Sequence, residues 1–131
     1  MLTKTNQTKN INRNKPALLR WDSEGVTIAG VNGTNGTASN LLNLPYDLVV
    51  DWSYTLFVSD RYNNRIQKFL RGSSNATTVA GRADGVAGST DTTLKEPTFL
   101  IVDDHGDIHV SDMKNSRVMF WKKNAVQGTI V

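Results

Sequence analysis

One pattern constrains this chain more than any other, because the sequence contains it twice at a fixed spacing. Residues 58–69 read VSDRYNNRIQKF and residues 110–121 read VSDMKNSRVMFW, so Asp, Asn and Arg recur 52 residues apart. The flanking sequence repeats at the same offset, with LVVD at 48–51 matching LIVD at 100–103. A period of about 50 residues predicts a repeat architecture in which each unit buries its faces against its neighbours.

Each copy contains four short segments rich in aliphatic, β-branched and aromatic residues, separated by turn residues. In the first copy the predicted strands are 46–50, 55–59, 65–69 and 77–80. In the second copy they are 98–102, 107–111, 117–121 and 128–131. No segment has a sustained helical period. Four short antiparallel strands in each repeat are typical of a β-propeller blade, so the sequence predicts an all-β fold.

The repeated polar residues predict a clamp on a hairpin. Asp60 and Asp112 end the second strand of their copies, Asn63 and Asn115 lie in the turn, and Arg65 and Arg117 start the third strand. Asn tolerates a positive φ and can hydrogen-bond its own backbone. An Arg placed five residues after an Asp, across the turn, can return to the carboxylate, and its planar guanidinium suits a bidentate contact. These six residues are therefore predicted to be structural.

With these residues in place, the chain resembles the NHL repeat family of β-propellers. The shared pattern is P-x-x-[LI]-x-V-D followed by [LI]-x-V-S-D-x-x-N-x-R-[IV]-x-x-[FW], at 45–69 and at 97–121. TIAG at 27–30 and TVAG at 78–81, each followed by a Gly-rich loop, match the longer-loop form of the family. The resemblance covers about residues 17–131. It implies a propeller that binds protein partners on one face, and in some members single-stranded RNA.

We therefore expect a partial β-propeller of two full four-stranded antiparallel blades, at 46–80 and 98–131, plus half a blade at 17–30. Residues 1–16 are predicted to be a polar, basic and disordered tail. A closed propeller has about 4–8 blades. Further blades in cis, or self-association, are thus needed to close the ring, and a fragment of a larger propeller is the favoured interpretation.

The distribution of charge along the chain gives little support for a nucleic-acid-binding surface. Lys and Arg number 15 and Asp and Glu number 12, and residues 1–20 hold five of the basic residues and no acid. Cysteine is absent, which excludes disulfides and thiolate zinc sites. No run approaches the about 18 apolar residues of a membrane span. N-x-[ST] sequons at Asn6, Asn32, Asn35 and Asn75 favour an extracellular compartment over a cytoplasmic one.

Residues for catalysis are not evident, and we predict no catalytic residue, no metal site and no cofactor. His105 and His109 are the two histidines and lack partners at metal-ligand spacing. Propeller lyases related to the family bind zinc through histidines from several blades, and no such set matches here. Asp103, Asp104 and Asp107 permit a calcium site or a polar turn, and the other copy, DWSYT, favours the turn. A lyase or a ubiquitin-ligase substrate-binding module remains an alternative for a longer parent protein.

A candidate binding face follows from the predicted blades. The turns between strands two and three, and the loops that lead to the next blade, lie on one side of a propeller. The variable residues on that side are Arg61, Tyr62, Asn64, Arg82, Met113 and Lys114. A protein partner is favoured, because loops on a rigid scaffold carry specificity. Single-stranded RNA is the alternative, since Arg61 beside Tyr62 suits phosphate contact and base stacking.

Overall fold

Two four-stranded antiparallel sheets make up the described part of the chain, residues 24–131 of a computed structural model. The first sheet contains β1 (Leu48–Val50), β2 (Leu56–Asp60), β3 (Arg65–Phe69) and β4 (Ala76–Gly81). The second contains β5 (Pro97–Val102), β6 (Ile108–Asp112), β7 (Arg117–Trp121) and β8 (Thr129–Ile130). The strands of each sheet lie side by side in chain order. The predicted all-β fold with two four-stranded blades is confirmed, and we call the sheets blade one and blade two.

The strand bounds follow the prediction closely except at the first strand of blade one. Strand β1 begins at Leu48, two residues later than predicted. The Tyr46 N–H donates to the Ser59 carbonyl at 3.0 Å, and the Ser59 N–H donates to the Asp47 carbonyl at 2.9 Å. Two residues of one strand thus oppose one residue of the other, which is the arrangement of a β-bulge. Blade two has a register shift at the corresponding place, after Pro97.

Residues 26–30 differ from the prediction, which made them the outer strand of a half blade. They form no strand, and Val26 and Ile28 are 82% and 68% exposed. A strand needs a neighbour for its backbone hydrogen bonds. The predicted neighbour at 17–21 lies outside the described residues, as does the predicted tail at 1–16. Ala29 nevertheless packs against the buried residues of blade one.

The main hydrophobic core lies between the two blades. Side chains alternate across each strand, so each sheet turns one row of apolar residues toward the other sheet. Blade one contributes Phe57, Ile66 and Ala80; blade two contributes Leu100, Ile108, Val110, Met119 and Trp121; and Leu94 joins them from the loop before β5. Each of these side chains is buried. Burying one large apolar side chain contributes about 1.5–3 kcal/mol, so this core holds the blades together.

The far faces of the two blades differ in exposure. On blade one, Leu56, Val58 and Phe69 are buried, with Ala29 and Leu42 packed against them. Loop residues that precede β1 therefore cover this face.

Blade two instead presents an apolar surface on the side that points away from blade one. Ile101 is 65% exposed and Val118 is 45% exposed. The rings of His109 and Phe120 lie on the same face, with centroids 4.8 Å apart. We call these four residues the open face of blade two. The equivalent surface of blade one is the one that packs against blade two.

The repeat supplies a matched pair that tests this packing. Ile66 and Val118 occupy equivalent positions, but Ile66 is fully buried between the blades. Ile66→Ala removes buried methylene groups and leaves a cavity, so we expect the free energy of unfolding to fall by about 2–5 kcal/mol. Val118→Ala should change it by about 0.5 kcal/mol or less, as is usual on a surface. Urea unfolding followed by circular dichroism measures both, and equal losses would contradict the packing.

Candidate interaction surface

The carboxylate of Asp60 is the centre of the first predicted clamp. It is fully buried and accepts hydrogen bonds from three partners. Its Oδ2 accepts from Arg65 Nε at 2.8 Å and from Asn63 Nδ2 at 2.9 Å. Its Oδ1 accepts from the backbone N–H of Asn43 at 2.7 Å. The carboxylate therefore joins the end of β2, the turn, the start of β3 and the loop that precedes the blade.

The guanidinium of Arg65 does not form the predicted bidentate contact with the carboxylate. Nε alone binds Asp60, and the two Nη atoms donate to backbone carbonyls of the surrounding loops. These carbonyls belong to Thr37, Ala38, Leu41 and Ala83, at distances of 2.6–3.3 Å. The spacing D-x-x-N-x-R predicted the ion pair. The path of the loops determines which carbonyls accept hydrogen bonds from the two Nη groups. As a result, the clamp also fixes the loop that precedes β1 and the loop that follows β4.

The second copy repeats the contacts of the clamp carboxylate. Asp112 Oδ2 accepts from Arg117 Nε at 2.7 Å and from Asn115 Nδ2 at 2.8 Å. Its Oδ1 accepts from the backbone N–H of Lys95 at 2.7 Å. The Nη atoms of Arg117 again donate to loop carbonyls, here those of Ser89, Thr90 and Thr93. Two turns are thus held in the same way, one on each blade.

The turn asparagines have a different role from the one predicted. Asn63 lies within a 3₁₀ turn, and the residue with positive φ is the next one, Asn64, at 53°. In the second copy the corresponding residue is Ser116, at 51°. Asn63 Nδ2 donates to the Gly36 carbonyl at 2.7 Å as well as to the clamp carboxylate. The repeated spacing of this asparagine therefore serves side-chain bonding to the loop, and the residue with positive φ comes directly after it.

Breaking the first clamp tests its role in the fold. Asp60→Ala leaves the Arg65 guanidinium buried without its carboxylate, so we expect a loss of about 3–5 kcal/mol in the free energy of unfolding. Arg82→Ala is the control, because it breaks only an exposed ion pair that solvent screens. Chemical unfolding of the two variants compares them directly. A loss for Asp60→Ala no larger than that for Arg82→Ala would refute the clamp.

The two clamped turns place variable residues at one end of the molecule. Tyr62 is 49% exposed and Met113 is 39% exposed, and Lys114 is also exposed. The backbone N–H of Tyr62 donates to Asn43 and that of Lys114 donates to Lys95, at 3.1 Å in both cases. The loops therefore hold the backbone of each turn while these side chains remain accessible. We call Tyr62, Met113 and Lys114 the interaction surface.

Arg61, another predicted face residue, is engaged at the junction between the blades. Its Nη2 binds Glu96 Oε2 at 2.8 Å. Its guanidinium carbon lies 5.7 Å from the Tyr46 ring centroid and 5.3 Å from that of Tyr62. Phe99 meets the Tyr46 ring edge-on, with centroids 5.3 Å apart. Glu96 is not among the residues predicted from the sequence. Its signal is a departure from the repeat, because the other copy has leucine at the equivalent position.

Asn64 and Arg82, also predicted for this face, are occupied by contacts within the protein. The Oδ1 of Asn64 accepts the Glu96 N–H at 2.9 Å, and its Nδ2 donates to the Gly85 carbonyl at 3.0 Å. Arg82 forms an exposed ion pair with Asp84. Hydrogen bonding from this guanidinium lowers the pKa of Asp84 to about 2, and the same pair raises the pKa of Arg82. These two side chains therefore stabilise loops.

The acidic and histidine side chains of residues 24–131 are not grouped as metal ligands. This part of the chain contains no cluster of three His, Cys, Asp or Glu side chains that could hold a metal. Asp103 Oδ1 accepts the N–H groups of His105 and Asp107, both at 2.9 Å, as in a polar turn. These backbone bonds, led by the one from Asp107, lower the pKa of Asp103. Across the same residues, no helix is long and apolar enough to span a bilayer.

The predicted sequons that the structure describes are all on the surface. Asn32, Asn35 and Asn75 are exposed, and Asn6 lies outside the described residues. Asn75 Oδ1 accepts a hydrogen bond from the Ser39 hydroxyl at 3.1 Å. An extracellular compartment stays a prediction.

Comparison with known proteins adds no family, since no protein-family model matches the chain and a search of curated proteins gives no match.

Proposed function

We propose that this chain is a non-catalytic protein-interaction scaffold of the NHL β-propeller type and forms part of a larger propeller. The observation that carries the proposal is the repeated clamp. Asp60 and Asp112 are completely buried, and each holds a turn whose neighbouring side chains differ between the copies. A fixed framework with variable residues at one end is the arrangement that binding loops require.

The chemistry of the interaction surface favours a protein partner. Tyr62 and Met113 are exposed residues of types that are enriched in protein interfaces. Lys114 has no carboxylate partner among the described residues, so it is available for an acidic group. The RNA alternative is weaker, because Glu96 binds Arg61 and Asp84 binds Arg82. A phosphate would have to compete with these carboxylates for both arginines.

The open face of blade two supports the proposal that the chain forms part of a larger propeller. On blade one the equivalent surface, which includes Phe57 and Ile66, is buried against blade two. We propose that the open face packs in the same way against a further blade, either in cis or from another copy of the chain. Ile101 and Val118 would then be covered, as exposed apolar patches of this kind often are.

Affinity capture with the tagged chain tests the interaction surface. The variant Tyr62→Ala, Met113→Ala, Lys114→Glu should lose the captured protein, because it removes the exposed contacts and reverses one charge. Trp52→Ala is the control, since Trp52 is 91% exposed in the β1–β2 turn at the opposite end. Loss of the partner with Trp52→Ala but not with the triple variant would contradict the proposal. Capture that nuclease abolishes would favour RNA instead.

A further inference from the structure

A cavity of about 250 Å³ lies between the two blades, at the end opposite to the interaction surface. Blade one lines it with the β1–β2 turn and the end of β3, and blade two lines it with the β5–β6 turn and the residues after β7. The wall has an apolar part, formed by Phe57, Val79 and Ile108, and a cationic part, formed by Lys68, Lys122 and Lys123. We call this space the lysine cavity.

The lysines of this cavity lack carboxylate partners within 4.0 Å among residues 24–131. Asp51 also lines the cavity, but its Oδ1 accepts the N–H groups of Ser53 and Thr55, both at 2.9 Å. Asp107 is not part of the lining, and its Oδ1 accepts the backbone N–H of Lys123 at 2.7 Å. Three lysines and one aspartate give the lining a net charge of +2. A cleft with one sign of charge attracts ligands of the other sign.

The repeat itself does not require lysine at these positions. At the 52-residue offset, Phe120 corresponds to Lys68, Leu70 to Lys122 and Arg71 to Lys123. Lys68 is half-buried beside the apolar wall. Partial burial of an ammonium group costs free energy unless an anion compensates it. Since no carboxylate does so among the described residues, a bound anion would supply the missing partner.

Two hydroxyl groups add hydrogen-bonding capacity to the same cavity. Ser53 and Thr55 both line it, and their bonds to Asp51 use backbone groups: both N–H groups donate to Asp51 Oδ1, and the Thr55 carbonyl accepts the Asp51 N–H. Thr55 is 8% exposed, so little of this residue is in contact with bulk solvent. Hydroxyl groups can donate to anionic oxygens. The cavity thus combines cations, donors and an apolar wall.

We propose that the lysine cavity binds an aryl phosphate. The phosphate would contact the lysines and hydroxyls, and the aromatic ring would contact Phe57, Val79 and Ile108. A phosphate monoester carries about −1.5 to −2 charges at pH 7 and three strong acceptor oxygens, which matches the lining. Small-ligand pockets span about 300–1,000 Å³, so this smaller cavity fits a body of about one ring. Both a free aryl phosphate and a phosphotyrosine side chain have this chemistry.

NMR titration of the ¹⁵N-labelled full chain with phenyl phosphate tests the proposal. We expect amide shifts at residues 51–55, 68 and 122–124, and a Kd at least about tenfold lower than for inorganic phosphate or phenol. Lys68→Gln and Lys123→Gln should each raise the Kd about five- to tenfold, because each removes one charge at the phosphate. Lys95→Gln is the matched control, because Lys95 is exposed at the other end of the molecule, and its Kd should be unchanged.

Each outcome of the titration decides the proposal. No shifts at 51–55 and 122–124 with millimolar phenyl phosphate would overturn it. So would a Kd that the cavity variants leave unchanged, or one equal to that of inorganic phosphate. Lys122→Gln provides an exposed third variant if Lys68→Gln perturbs the fold. A phosphotyrosine peptide that binds more tightly than phenyl phosphate points to a protein ligand, and equal affinity points to a small molecule; both support the site.

Discussion

The rest of the structure depends on one interaction, the buried carboxylate that ends the second strand of each blade. Asp60 is fully buried, so its charge is tolerable only because Arg65, Asn63 and the Asn43 N–H all donate to it. These donors come from the turn, the third strand and the preceding loop. A single desolvated charge thereby makes three segments of backbone mutually dependent, since removal of any donor leaves the buried carboxylate poorly compensated.

The repeat explains how much of this arrangement the sequence could predict. Two copies in register located the strands and the Asp–Arg pairs, because local spacing across a hairpin determines both. Local spacing does not determine the path of a long loop, so the contacts from Arg65 to Thr37 and Ala83 were not predictable. The left-handed residue was placed one position too early. Asn63 itself offered no signal that its side chain bonds to the loop.

Some residues differ between the two copies, and the shared blade architecture does not account for them. Glu96 replaces a leucine of the other copy and binds Arg61 across the junction of the blades. The described arginines at the turns are engaged with carboxylates, whereas the lysines at the opposite end are not. The two ends therefore differ in chemistry: one has clamped turns with exposed Tyr62 and Met113, and the other has an unbalanced cationic cavity.

Native-state hydrogen exchange tests most directly whether each carboxylate couples loop and hairpin into one unit. The informative amide is that of Asn43, which lies 2.7 Å from Asp60 Oδ1 in the loop outside the strands. If the clamp is a single unit, this amide opens with the same free energy and denaturant dependence as the amides of β2 and β3. Exchange of the Asn43 amide by local opening, with a much lower free energy and no denaturant dependence, would contradict the account.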